Sequence, residues 1–149
     1  MKIYLATDHA AYELKEYVKT HLTEGGYDIE DCGAYALDPS DDYPDWIQLA
    51  AHKVSQNPGS FGIVFGKSGA GEAIVANKIK GVRAVLAVNE ENVRLSREHN
   101  NANVLSIGSI LIGNEQTIEL IRLFINTQFS NDERHVRRID KISALENNE

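Results

Sequence analysis

A glycine-rich loop in the middle of the chain constrains the fold more than any other feature. The apolar residues 61–65 precede it and are typical of a buried parallel strand. Gly66, Gly69 and Gly71 follow, and residues 72–78 have the pattern of a helix with an acidic residue in its first turn. A strand, a glycine loop and a helix in this order present backbone N–H groups to an anion. The stretch therefore predicts an α/β protein with an anion site at this loop.

Two common nucleotide-binding motifs do not fit the loop. A Walker A motif needs a glycine where this chain has Phe61, and a dinucleotide fingerprint that starts at Gly69 would need one at Ile74. What remains is an anion cradle with the carboxylate of Glu72 at its rim. We interpret Glu72 as a group that takes a proton from a substrate, which then becomes an anion. The alternative is that Glu72 only complements the dipole at the start of its helix.

Strand patterns alternate with helix patterns along the whole chain. This alternation predicts a three-layer Rossmann-like α/β fold, with a five-stranded parallel sheet and helices on both faces. We expect the flavodoxin-like strand order 2-1-3-4-5. The predicted strands are 2–7, 27–32, 61–65, 83–88 and 104–107, and the predicted helices are 10–24, 46–56, 72–78, 90–99, 115–126 and 132–145.

Polar residues follow two strands that this order makes neighbours. Asp8 and His9 come directly after the first strand, and the glycine loop comes after the third. Ligands bind beside the carboxyl ends of such strands, so we expect the Asp8–His9 pair and the glycine loop to line the same crevice. Asp8 and His9 are candidate acid–base or hydroxyl-binding groups, although the pair could simply cap the next helix. Asp41, Asp42 and Tyr43 could edge the same crevice, but we interpret them as ordinary loop residues.

Basic residues late in the chain form a second set of candidates. His99 follows a helix and precedes a strand, so we expect it to reach the crevice, unless it only complements the helix dipole. Arg134 and Arg138 lie four residues apart on one face of the last helix, and guanidinium groups fit phosphate oxygens. A solvated helix face would give the same run of charges. We expect the last helix, about 132–145, to dock on a partner subunit and complete its site.

Composition narrows the classes of protein. The 149 residues favour a single domain, 1–149, and the net charge of −7 argues against a general nucleic-acid or membrane surface. Cys32 is the only cysteine, which excludes an intramolecular disulfide and favours the cytoplasm. The sequence has no membrane-spanning run or signal peptide, and its candidate residues lack the spacing of metal ligands, so we predict no metal.

Short motifs spread over the chain carry a family resemblance. They are residues 6–15 (ATDHAAYELK), 42–44 (DYP), 66–72 (GKSGAGE), 76–78 (ANK), 81–83 (GVR), 97–100 (REHN) and 134–138 (RHVRR). With these motifs the chain resembles, over nearly its whole length, the ribose-5-phosphate isomerase type B family, which also includes the galactose-6-phosphate isomerase subunits. The motifs are highly specific together, and none would be specific alone.

The resemblance implies a homodimer, or a tetramer, with shared active sites and no cofactor or metal. Such enzymes interconvert aldose and ketose phosphates through an enediolate, here most simply ribose 5-phosphate and ribulose 5-phosphate. One branch of the family uses a cysteine directly after strand three as the base, and that position is Gly66 in this chain. The other branch uses a glutamate in the first helical turn, which is the place of Glu72.

The resemblance also implies roles for single residues. Glu72 moves a proton between C2 and C1, and His99 opens the sugar ring with help from Asp8. Backbone N–H groups from Lys67 to Gly71 stabilise the enediolate oxygen. The implied substrate-binding residues are Asp8, His9, Lys67, Ser68, Gly69, Ala70, Gly71, Asn100, Arg134 and Arg138.

Two positions depart from the family pattern. The family usually has an arginine where this chain has Ile110, and a small residue where it has Lys67. Loss of one charge-assisted contact removes about 1.5–3 kcal/mol of binding free energy, and Lys67 is a candidate to supply the missing charge. The departures leave two alternatives open: an isomerase for another or a non-phosphorylated sugar, and a sugar-phosphate binding module without turnover.

Overall fold

The chain folds around one parallel sheet with helices on both faces. The computed structural model describes residues 1–148, and all four strand pairings in it are parallel. The predicted three-layer Rossmann-like α/β class is therefore confirmed. The strands are β1 (Lys2–Thr7), β2 (Asp28–Asp31), β3 (Phe61–Gly66), β4 (Ala84–Leu86) and β5 (Val104–Gly108), and the helices are α1 (Tyr12–Glu24), α2 (Tyr43–Gln56), α3 (Ala70–Asn77), α4 (Glu90–Asn100), α5 (Asn114–Asn126) and α6 (Glu133–Glu146), with a 3₁₀ turn at His9–Ala11.

The order of the last two strands differs from the expected 2-1-3-4-5. The sheet has the order β2-β1-β3-β5-β4, so β5 lies between β3 and β4, and β4 is the edge strand. Every residue of β5 is buried, as an interior strand covered on both faces requires. β4 has only three residues, all half-buried, which suits a short edge strand. β1 and β3 remain neighbours, so the predicted crevice between them is unaffected.

Alternate residues of the strands supply two separate cores. In β1, Ile3 and Leu5 enter the core beneath α1, α4 and α5, whereas Tyr4 and Ala6 enter the core beneath α2 and α3. α6 packs on α4, on the side of the sheet that α1, α4 and α5 cover. Within residues 1–148, none of the helices combines the length and the apolar character needed to cross a membrane.

The candidate residues that follow β1 and β3 lie at one edge of the sheet, and His99 with its neighbours lies at the opposite edge. β1, β3 and β5 end at the carboxyl edge, where Asp8 and the glycine loop follow them. α4 starts after β4 and leads back to the beginning of β5, so its last residues lie at the amino edge. There, Arg83 Nε, just before β4, donates to the carbonyl oxygen of Asn100 at 3.0 Å. The five residues of β5 separate these edges by about 16 Å at the usual rise per residue.

Candidate active site

The loop between β3 and α3 presents free backbone N–H groups at the carboxyl edge. Gly69, the N-cap of α3, has a left-handed backbone with φ of 80°, which glycine adopts without strain. Its carbonyl oxygen accepts the hydroxyl of Ser106 at 2.7 Å, which fixes the loop to β5. Among residues 1–148, no hydrogen-bond acceptor lies against the N–H groups of Ser68, Gly69 and Gly71. These groups are therefore available to an anion.

Glu72 folds back from the first turn of α3 onto the end of β3. The residue is only 5% exposed, and a Cβ atom at Gly66 would overlap its carboxylate. The glycine therefore leaves the space in which the carboxylate lies. Burial raises the pKa of Glu72, the charge of Asp8 raises it further, and the N–H of Glu72 itself lowers it. A raised pKa makes this carboxylate a stronger base than an exposed one.

Asp8 lies close to Glu72, and His9 follows Asp8 in the chain. Asp8 is buried, and its Oδ1 accepts the N–H of Ala10 at 3.0 Å, so it does cap the 3₁₀ turn. Its negative charge also acts on both Glu72 and His9, which raises the pKa of each. The structure therefore brings Asp8 and Glu72 together beside the glycine loop, with His9 next to Asp8 at the same edge of the sheet.

Two residues that were interpreted as loop residues contact this crevice. Oδ1 of Asp41 accepts a hydrogen bond from His9 Nδ1 at 2.7 Å. The Tyr43 ring packs over Gly71, where its hydroxyl oxygen lies 2.8 Å from the position of a Cβ atom. Sequence reasoning missed Tyr43 because it started α2 at residue 46, whereas the helix starts at Tyr43. Pro44 was the available signal, since proline favours the first turn of a helix.

His99 does not reach the crevice of its own chain, contrary to expectation. Its ring stacks on His135, with centroids 4.3 Å apart and planes 14° apart, which fastens α6 to the end of α4. Burial lowers the pKa of His135, and the charges of His99 and Arg134 lower it further. Asn100, Arg134 and Arg138 are exposed beside this stack. The amino edge of the sheet therefore carries a group of cationic and amide side chains without an anion cradle.

The loops after β3 and β5 form one continuous rim. The N–H of Ile110 donates to the carbonyl oxygen of Lys67 at 3.1 Å, and the N–H of Ser109 donates to that of Gly66 at 2.8 Å. Both Lys67 and Ile110 are exposed. The lysine therefore lies next to the position at which the family arginine is replaced.

One group of side chains has the geometry to bind a cation. Asp8, His9 and Asp41 place potential ligand atoms within 4.8 Å of one another. The Asp41 oxygen and His9 Nδ1 already share a hydrogen bond, and the other Asp41 oxygen accepts Trp46 Nε1 at 3.1 Å. A cation bound through Asp41 Oδ1 and His9 Nδ1 would have to displace the hydrogen bond between them.

The fold and the crevice define a class of protein: an α/β domain with a buried carboxylate beside a glycine loop whose backbone N–H groups are free, at the switch point of its sheet. Residues 3–142 match the family model described as Ribose/Galactose Isomerase. Ribose-5-phosphate isomerase B of Mycobacterium leprae is 43% identical over 146 residues, which cover 98% of this chain and 90% of the relative. The chain belongs to the ribose/galactose isomerase family, and the resemblance carried by its motifs is confirmed.

Solved structures agree with this assignment. Ribose-5-phosphate isomerase B of Mycoplasma genitalium, solved with bound ribulose 5-phosphate, has a TM-score of 0.94 and 38% identity, with coverage of 99% of this chain and 97% of that one. The Thermotoga maritima enzyme has a TM-score of 0.91 and 42% identity, with coverage of 96% and 97%.

Proposed function

We propose that this chain is an aldose–ketose isomerase that interconverts ribose 5-phosphate and ribulose 5-phosphate, with Glu72 as the base. The observation that carries the proposal is the buried carboxylate of Glu72 over the free N–H groups of the glycine loop. The names of the relatives and the ribulose 5-phosphate bound to one of them support the choice of substrate. Burial raises the pKa of Cys32 to about 11, so this thiol is a poor alternative base. The buried, unpaired thiol also fits our placement of the enzyme in the cytoplasm.

The proton transfer follows from the geometry of the glycine loop. Glu72 removes the proton from C2 of the open-chain aldose, the C2–H electron pair forms the C1–C2 double bond, and the carbonyl electrons move to O1. The N–H groups of Ser68, Gly69 and Gly71 stabilise the negative charge that develops there. Protonated Glu72 returns the proton to C1, the O2–H electron pair forms the C2=O2 bond, and the O2 proton is transferred to O1, so that O1 becomes a hydroxyl and O2 the carbonyl of the ketose. This cycle needs no external oxidant or reductant.

Opening of the sugar ring would use His99 together with Asp8, and these two residues lie at opposite edges of the sheet in one chain. We propose that His99 and Asn100 enter the crevice of a second copy, where His99 takes the proton of the anomeric hydroxyl beside Asp8. In a symmetric dimer the amino edge of each subunit would close the carboxyl edge of the other. Large apolar side chains exposed on α3 and α6, such as Ile74 and Leu145, support an interface on this side of the molecule.

Phosphate binding would use cations from both subunits. Arg134 and Arg138 of the second copy offer planar guanidinium groups, and His9 and Lys67 of the first copy lie at the rim of the crevice. The N–H of Ile110 bonds to the backbone carbonyl of Lys67, and this proximity supports Lys67 as the residue that replaces the charge of the family arginine.

A comparison of ribose 5-phosphate, ribose and galactose 6-phosphate tests the proposal. We expect conversion of ribose 5-phosphate, with a kcat/KM for ribose at least about 100-fold lower, since ribose loses two or more charge-assisted contacts. A coupled assay for the ketose product measures each rate. Equal rates with and without the phosphate would contradict phosphate recognition. Tight binding of ribose 5-phosphate without conversion would show a binding module instead of an enzyme.

A further inference from the structure

The carboxylate of Asp41 is held in one orientation by three donors. Its Oδ1 accepts both the ring Nδ1 of His9 at 2.7 Å and the backbone N–H of His9 at 3.0 Å. Its Oδ2 accepts Trp46 Nε1 at 3.1 Å. The side chain is only 9% exposed, although it belongs to the loop before α2. Such a set of contacts exceeds what a surface loop needs to keep its shape.

The loop that carries Asp41 is fastened to β1, the strand that presents His9. The N–H of Thr7 donates to the carbonyl of Gly33 at 2.8 Å, and the N–H of Ala34 donates to the carbonyl of Thr7 at 2.8 Å. The Trp46 ring lies against Gly33, where a Cβ atom would overlap it. His9 and its carboxylate partner are therefore parts of one fixed frame.

A fully buried lysine strengthens the start of the same loop. Lys15 of α1 is 0% exposed, and its Nζ donates to Asp31 Oδ1 at 2.7 Å and to the carbonyl of Ala34 at 2.6 Å. A buried ammonium group needs this full set of partners. The lysine thereby ties α1, β2 and the loop together beneath the crevice.

The Asp41 contact decides which nitrogen of His9 faces outward. Because Nδ1 is directed at Asp41, Nε2 is the nitrogen left for a ligand. The hydrogen bond that His9 donates to Asp41 raises the pKa of His9, burial lowers it, and the charges of Asp8, Asp41 and Asp38 raise it again. Glu13 of α1 lines the same cavity as His9. The three aspartates favour a protonated ring that carries a hydrogen on Nε2.

His9 borders a cavity of about 420 Å³ that has polar groups in its walls. Ser109, in the loop after β5, Asn114, the first residue of α5, and the acid Glu13 also line it. The first turn of the 13-residue α5 adds N–H groups and the positive end of a helix dipole. The imidazole thus borders a space in which Ser109, Asn114 and the first turn of α5 offer further hydrogen-bond donors to the phosphate end of the substrate.

We propose that Asp41 is a positioning residue, which orients the His9 imidazole so that Nε2–H is presented to the substrate phosphate. The inference rests on the proposed function for the identity of the substrate, but the Asp41–His9 contact does not depend on it. Asp41 itself touches neither the sugar nor the phosphate. It acts through the orientation and the charge of His9.

Asp41→Asn tests the inference, because the amide keeps the shape of the carboxylate and removes its charge. We expect the KM for ribose 5-phosphate to rise about tenfold, in line with the loss of one charge-assisted contact, while kcat changes by less than about threefold. Because the phosphate binds the protonated imidazole more tightly than the neutral one, KM rises as the pH increases through the pKa of His9. In the variant that rise should begin at a lower pH. Asp42→Asn is the matched control, because Asp42 is exposed and its side chain caps nothing.

The pKa of His9, measured by NMR titration of the free protein, should fall in Asp41→Asn and stay unchanged in Asp42→Asn. Trp46→Phe, which removes the Oδ2 donor and shortens the ring that lies against Gly33, gives a second variant if Asp41→Asn folds poorly, and a smaller change in the same direction is expected. An unchanged His9 titration together with an unchanged KM would overturn the inference. If the unmodified protein does not isomerise sugars, affinity for inorganic phosphate replaces KM. A loss of that affinity in Asp41→Asn would then support the role of Asp41 while the proposed function fails.

Discussion

Glu72→Gln is expected to lower kcat by about 10²–10⁴-fold, the usual contribution of a positioned general base. Glutamine fills the same space but cannot accept the C2 proton, whereas the N–H groups of the glycine loop remain in place. Substrate affinity should therefore change little. Solvent deuterium incorporation at C2 of ribose 5-phosphate, followed by NMR, is expected to disappear together with turnover. Persistent exchange at C2 in this variant would exclude Glu72 as the base.

A change in stability can be separated from this loss of catalysis. Because burial raises the pKa of Glu72, its ionised form destabilises the folded state above that pKa, and the neutral glutamine does not. The melting temperature of Glu72→Gln should therefore be unchanged or higher. Glu119→Gln is the matched control, since Glu119 is an exposed acid within α5 beyond its first turn, and it should change neither kcat nor the melting temperature. In the unmodified enzyme, kcat/KM should fall as the pH drops through the raised pKa of Glu72, because the base must be ionised.

Gly66→Ala is expected to remove most activity without altering any group that takes part in the reaction. The new Cβ atom would overlap the Glu72 carboxylate. That carboxylate is the far end of a flexible side chain, so it can rotate away while β3 keeps its pairing with β1 and β5. We expect kcat to fall about 100-fold, the lower end of the effect of losing the base, with a small change in melting temperature.

The control for Gly66→Ala is the same substitution at Gly113, where a Cβ atom meets no neighbour within 4 Å. Gly113 is the N-cap of α5 with φ of −71°, which alanine can adopt. Activity should survive this change. Full activity in Gly66→Ala would contradict the idea that the glycine reserves the space of the base.

Local patterns predicted the carboxyl edge of the sheet well, because each part of it is encoded over a few residues. The run 61–65 and the three glycines after it indicated the strand and the loop, and Asp8 and His9 follow their strand directly. The strand order was harder to predict because β4 and β5 are both short apolar runs. Their positions depend on packing between distant segments, which neither run encodes alone.

The contacts that the sequence did not reveal are long-range. Asp41 bonds to His9 across 32 positions in the chain, and no local motif connects the two residues. His99 was placed at the wrong edge because its position after a helix was used without the direction of that helix. A helix between parallel strands returns to the amino edge, so this error could have been avoided from topology alone.

A mixture of the Glu72→Gln and His99→Asn variants tests most directly whether one active site contains residues of two subunits. Each variant should be inactive alone. Random reassociation makes half of the dimers hybrids, and each hybrid has one site with both Glu72 and His99 intact. The mixture should recover about a quarter of the activity of the unmodified protein, as expected for a symmetric dimer with two shared sites. If differently tagged hybrids are isolated and remain inactive, Glu72 and His99 do not act together across the interface, and the proposed shared site is wrong.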